Sequence, residues 1–116
     1  MKKREASREN RREHYRIRYP LRFRPVLKFS GKKFEIIDIS ESGIKFYCEN
    51  TVGFRSGQEM EGTVIFTDGK SLALKGTILR IYKRTAIVWL SVYIPFSHII
   101  REQRFLKTHY PDNLDD

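Results

Sequence analysis

Six positions, Arg11-Arg12-Glu13-His14-Tyr15-Arg16, hold three arginines, and Arg8 and Arg18 lie just outside them. Arginine is always charged and presents a rigid, planar fork of donors. That fork fits two phosphate oxygens, or the two acceptors on the Hoogsteen edge of guanine. Several forks in one short run suit a compact anion. The same composition also fits a solvated basic arm that attracts any polyanion weakly. A second stretch, Asp38-Ile39-Ser40-Glu41-Ser42-Gly43, weighs against the plain arm. It offers a carboxylate acceptor and, two residues on, a hydroxyl of either polarity. It closes with a glycine that can take a positive φ or let a backbone approach closely. Asp38 and Ser40 could also merely build an Asx-type turn closed by Gly43.

Charge is unevenly placed along the chain. The formal net charge is +9. Residues 1–24 carry ten Lys/Arg against three acids, net +7, and the remaining 92 residues carry thirteen against eleven, net +2. A general nucleic-acid binder spreads basic charge over a whole face. Concentration in the entry segment favours a local anion site instead.

Composition bounds the rest. The 116 residues fit one domain, and 40% hydrophobic content supports a core. No window approaches the ~20 apolar residues of a membrane helix. Met1-Lys2-Lys3-Arg4-Glu5 has no apolar run behind it, unlike a secretory signal. One cysteine, Cys48, allows neither an internal disulfide nor a multi-cysteine metal cluster. His14, His98 and His109 have no ligand spacing. The expected protein is cytoplasmic and metal-free, with no cofactor. No nucleophile, base and orienter stand together in the sequence, so no enzyme is expected.

The elements that must position the two stretches follow from periodicity. Residues 1–10 hold one apolar side chain after Met1 and are expected to be a disordered basic arm. Residues 11–110 are expected to be the domain, and 111–116 an acidic tail. Tyr19-Pro20 breaks any helix. From Leu21 to Phe29 the pattern has period two, with Leu21, Phe23, Pro25, Leu27 and Phe29 on one side. That predicts a half-buried strand, with an edge or bulge at Pro25. Further strands are predicted over Phe34–Ile39, Ile44–Cys48, Glu59–Phe66, Ser71–Ile81 and Thr85–Tyr93. Turns fall at Ser30-Gly31-Lys32, Thr67-Asp68-Gly69-Lys70 and Tyr82-Lys83-Arg84. The period then changes. Ser97 is a candidate N-cap, and Ile99, Ile100, Gln103 and Leu106 form a helical stripe, predicting a helix over His98–Lys107. Six short strands, tight turns and one terminal helix predict an all-β fold, a small antiparallel barrel with a C-terminal α-helix. No internal repeat is evident. Trp89 and Cys48 read as core, and Arg80 as facing solvent or edging the site.

Arg12 and Arg16 are spaced Arg-x-x-x-Arg, and Asp38, Ser40 and Gly43 are spaced Asp-x-Ser-x-x-Gly. In this order, on either side of a first strand, they resemble the signature of the PilZ domain family. The resemblance runs over about residues 8–107 and takes in the strands, the trailing helix and the Gly76-Thr77-Ile78-Leu79-Arg80 run. Trp89 departs from it, since the family more often has phenylalanine in that strand. The resemblance implies a six-stranded antiparallel PilZ-type barrel that binds the bacterial second messenger cyclic di-GMP and signals to a downstream partner protein. It implies a ligand set of Arg12, Arg16, Asp38, Ser40 and Gly43, with Arg11 bearing on ligand number. Chemistry agrees with it. Asp38 can accept from guanine N–H groups, which adenine cannot match, and the arginines can take phosphates or a guanine edge. Two other readings stand beside it. One is a small basic barrel for single-stranded nucleic acid, using Phe23, Tyr47 or Tyr93 as exposed aromatics. The other is an interaction domain whose arm docks on an acidic partner.

Overall fold

Alternating apolar side chains close a six-stranded antiparallel barrel in this computed structural model, which describes residues 16–49 and 53–109. The strands are β1 (Ile17–Arg18), β2 (Val26–Phe29), β3 (Lys32–Ile39), β4 (Gly43–Tyr47), β5 (Glu59–Ile65), β6 (Ser71–Tyr82) and β7 (Thr85–Leu90); helix α1 (Phe96–His109) follows. β2, β5, β6, β7 and β4 pair in that order, and β3 pairs with both β2 and β4 to complete the ring. β1, two residues long, lies against the end of β3 through Ile17↔Ile39 and Arg18↔Asp38.

The inward set is apolar. Leu27, Ile36, Ile39, Ile44, Phe46, Val64, Ile78, Val88 and Leu90 are all buried. Each such side chain contributes about 1.5–3 kcal/mol relative to exposure, so the barrel interior is the main source of stability. α1 adds Ile99 and Leu106 to the same core and packs beside β1. Cys48 is buried as expected.

Two β-bulges reset the alternation. Ile36 pairs with Phe46 and Asp38 with Lys45, which leaves Ile37 without a counterpart. Ile78 pairs with Val88 and Arg80 with Ile87, which does the same at Leu79. A bulge flips every later side chain to the other face. Ile39 therefore points into the core, and Asp38 stands on the outer wall with Arg18 and Lys45.

The structure departs from the sequence expectations at several places, among them the last strand, which ends at Leu90 and not Tyr93. The strand expected from Leu21 begins only at Val26, as β2. Pro20 accepts from the Phe23 N–H at 3.1 Å and closes a 3-10 turn over Leu21–Phe23, which leaves Leu21 74% exposed. Ile17 and Tyr19, which follow the Arg11–Arg16 run and have no core role in the sequence analysis, are core residues at 3% and 4% exposure. The helix starts at Phe96, after Pro95, so Ser97 is its second residue and not its N-cap. Trp89, expected in the core, is 54% exposed. The expectations for residues 1–10 and 111–116 lie outside the described residues. Among the described residues no helix is long and apolar enough to cross a membrane.

Candidate ligand-binding site

Ser40 builds the turn between β3 and β4. Its backbone N–H donates to the Gly43 carbonyl at 2.9 Å. Its Oγ accepts from the Ser42 N–H at 3.3 Å and the Gly43 N–H at 3.1 Å. This is the hydroxyl form of the side-chain turn, so Asp38 is not needed to close it. Gly43 has no positive φ. Its demand is space: a Cβ there would sit 3.1 Å from the Val88 carbonyl oxygen of the neighbouring strand. The close approach is thus between β4 and β7.

Freed from the turn, Asp38 faces outward in a row of cations. Register runs Arg18↔Asp38↔Lys45↔Ile87↔Arg80 across β1, β3, β4, β7 and β6. Arg16 reaches the carboxylate from one side, with Nε 4.0 Å from Oδ1. The Arg16 side chain is 68% exposed and that of Asp38 only 9%. The guanidinium is therefore open to a further partner, while the carboxylate has largely lost its water. Burial pushes the Asp38 carboxyl above the ordinary carboxylate range, and the charges of Arg16, Lys45 and Arg18 pull against it. Backbone pairing holds the group in place. Beyond β1, the Tyr19 N–H donates to the Ile37 carbonyl at 3.0 Å.

A second buried carboxylate, not foreseen in the sequence, anchors the root of the same arm. Glu102 of α1 is fully buried. The Tyr19 hydroxyl donates to its Oε1 at 2.6 Å, and the Thr67 hydroxyl lies 3.1 and 3.0 Å from its two oxygens. Burial, then the Glu102 charge, raise the Tyr19 phenol well above its ordinary value, so it remains a donor. Burial raises Glu102 as well, against the lowering effect of the Tyr19 and Thr67 hydrogen bonds. The signal was present in spacing: Glu102 is three residues after Ile99 and four before Leu106, in the middle of the buried stripe.

Of the residues expected to bind ligand, Arg16 and Asp38 are brought together. Ser40 and Gly43 shape the adjoining turn. Arg11 and Arg12 lie outside the described residues, as does His14. Arg80 is exposed on the same outer row. Of the aromatics considered for nucleic acid, Phe23 stacks on Phe105 with ring centroids 5.5 Å apart, Tyr47 is half-buried and Tyr93 is 51% exposed. An outer groove of about 550 Å³ on β5 and β6 carries Glu59 and Glu61 against Lys75, a poor environment for an anion. Among the described residues no cluster of His, Cys, Asp or Glu could hold a metal.

Residues 10–107 match the family described as the PilZ domain. No curated protein matches the chain. Among solved structures, the chain is similar in fold to a Bacillus subtilis inhibitor of motility (MotI/DgrA), with a TM-score of 0.63 and 14% identity. That match covers 87% of this chain and 52% of the other, so the chain spans about half the length of that protein. It is also similar to the Legionella uncharacterized protein Lpg0364, with a TM-score of 0.55 and 9% identity over 83% of this chain and 95% of that one.

Proposed function

The chain belongs to the PilZ domain family, and from that premise we propose that it is a cyclic di-GMP receptor that passes the signal to a partner protein. The observation that carries this reading is the pairing of an exposed arginine with a desolvated carboxylate on the outer wall. Arg16 stands 4.0 Å from Asp38, and its guanidinium is largely open to solvent. In this reading Arg16, Arg12 and Arg11 meet the phosphates and a guanine edge of the ligand. Asp38 accepts from guanine N–H donors, which selects guanine over adenine. Ser40 and Gly43 contribute by fixing the turn that presents Asp38. Settling of the arginine arm on the ligand is the change a partner protein reads. The ligand is the only small molecule invoked, with no cofactor, no catalysis and a cytoplasmic setting.

Calorimetric titration with cyclic di-GMP, cyclic di-AMP and a single-stranded oligonucleotide over a range of salt tests the proposal. Saturable binding of cyclic di-GMP, with weak binding of cyclic di-AMP, is expected. Comparable affinity for the two dinucleotides, or preference for the oligonucleotide with a steep salt slope, would overturn it.

A further inference from the structure

Trp89 is the chain's only tryptophan, and it stands in water. Its strand neighbours Val88 and Leu90 are buried at 2% and 1%, while Trp89 is 54% exposed. An exposed indole forgoes the large burial that ordinarily retains the residue, so its surroundings are informative. Register sets it beside Gly43 on β4 and Thr77 on β6. Gly43 has no side chain to cover that flank of the ring, and it closes the turn that presents Asp38. Two residues along β7, Ile87 sits between Lys45 and Arg80. Asp38 and Trp89 are thus two strands and two residues apart. At a strand spacing of about 4.8 Å and a rise of about 3.4 Å, their Cα atoms are roughly 12 Å apart.

We infer that Trp89 is the stacking wall of the ligand site, receiving one purine ring of the cyclic dinucleotide while the other base meets Asp38. The inference rests on the cyclic di-GMP reading and extends it to a surface outside the two sequence motifs. Charge decides the occupant. The outer wall beside Trp89 carries Lys45 and Arg80, and Arg18 and Arg16 stand beyond Lys45. A planar aromatic next to cations fits a base with its phosphate. Val92, Tyr93 and Phe96, which follow in the chain, are also exposed, so a protein partner is the outcome the test must separate.

The emission of Trp89 reports directly on its own surroundings. Wild type, Trp89→Ala, Trp89→Phe and Arg16→Ala are titrated with cyclic di-GMP by fluorescence and calorimetry. In wild type, emission is expected to change saturably with the calorimetric midpoint. Trp89→Ala is expected to lose affinity about tenfold with an unchanged melting temperature, and Trp89→Phe to keep most of it, as stacking predicts. Unchanged wild-type emission at saturation, with Trp89→Ala binding within twofold of wild type, would overturn the inference. If Arg16→Ala loses binding in that same series, the receptor reading stands and only the stacking wall falls. Absence of wild-type binding would remove both.

Discussion

Asp38 and Glu102 are the same kind of group in opposite circumstances. Both are buried, and in both burial is the largest influence raising the carboxyl above its ordinary range. Glu102 receives hydroxyl hydrogen bonds from two distant parts of the chain, Tyr19 at 2.6 Å and Thr67 at 3.0 Å. Among the described residues the Asp38 carboxylate has Arg16 at 4.0 Å, beyond hydrogen-bond length. A buried acceptor without its donors costs about 1–3 kcal/mol. Where the chain supplies the donors, a buried carboxylate is a structural tie, here between the arm root, the β5–β6 turn and α1. Where the described residues offer only a cation at 4.0 Å, the group is a candidate for binding, since a desolvated carboxylate beside exposed cations suits a ligand's donors.

The largest effect should separate the two in stability. Glu102→Leu removes the acceptor of two hydroxyls at a buried site, and an expected loss of about 2–5 kcal/mol follows from leaving both unpaired. Asp38→Ala removes a desolvated charge whose Arg16 partner among the described residues is 4.0 Å away, so its stability should equal or slightly exceed that of wild type. Urea denaturation of both variants checks this. A comparable loss in Asp38→Ala would mean that Asp38 is a structural tie too.

Binding should reverse the order. Arg16→Ala and Arg12→Ala are each expected to abolish measurable cyclic di-GMP binding and leave the fold intact, because each removes a charged hydrogen-bonding partner, about 1.5–3 kcal/mol. Asp38→Ala should weaken binding by a similar amount. Glu102→Gln, which keeps an acceptor for Tyr19, should bind as wild type does. Wild-type affinity in Arg16→Ala by calorimetry would break the site assignment, and lost affinity in Glu102→Gln would blur the division between tie and site. For ligand number, Arg11→Leu is expected to shift the calorimetric stoichiometry from two toward one, and a wild-type value of one, unchanged in the variant, would refute this.

The barrel was legible because most of its strands alternate cleanly, and the helix because the period changes after Pro95. What escaped has identifiable causes. Ile17 and Tyr19 are isolated apolar residues between arginines and a proline, too few to make a period, yet both are core. Trp89 lies in Ala86-Ile87-Val88-Trp89-Leu90, where both faces are apolar and alternation cannot choose the outward one. Glu102 occupies a core position with a residue type that is almost never fully buried unpaired, and its partners Tyr19 and Thr67 are remote in sequence. The Asp38 and Ser40 spacing was plain in the sequence. Their division of labour was not, because it depends on the bulge at Ile37, which turns Asp38 outward and leaves Ser40 to close the turn.

The smallest effect is in protons. The unfolded chain ionises Asp38 in the ordinary carboxylate range, while the folded chain ionises it higher. Between those two values the native state holds more protons, so stability falls as pH rises across the window. Below the window both states are protonated and Asp38 costs nothing, whereas above it the full desolvation penalty applies. Glu102 contributes with the same sign. A ligand distinguishes them, because guanine N–H donors favour the ionised form of Asp38 only. Binding should therefore release protons when measured within the window, and affinity should rise with pH through it. Calorimetry in buffers of different ionisation enthalpy measures the release. Asp38→Asn should abolish it, whereas Glu102→Gln should leave it unchanged. Proton release that persists in Asp38→Asn would place the titrating group elsewhere and remove the distinction between the two carboxylates.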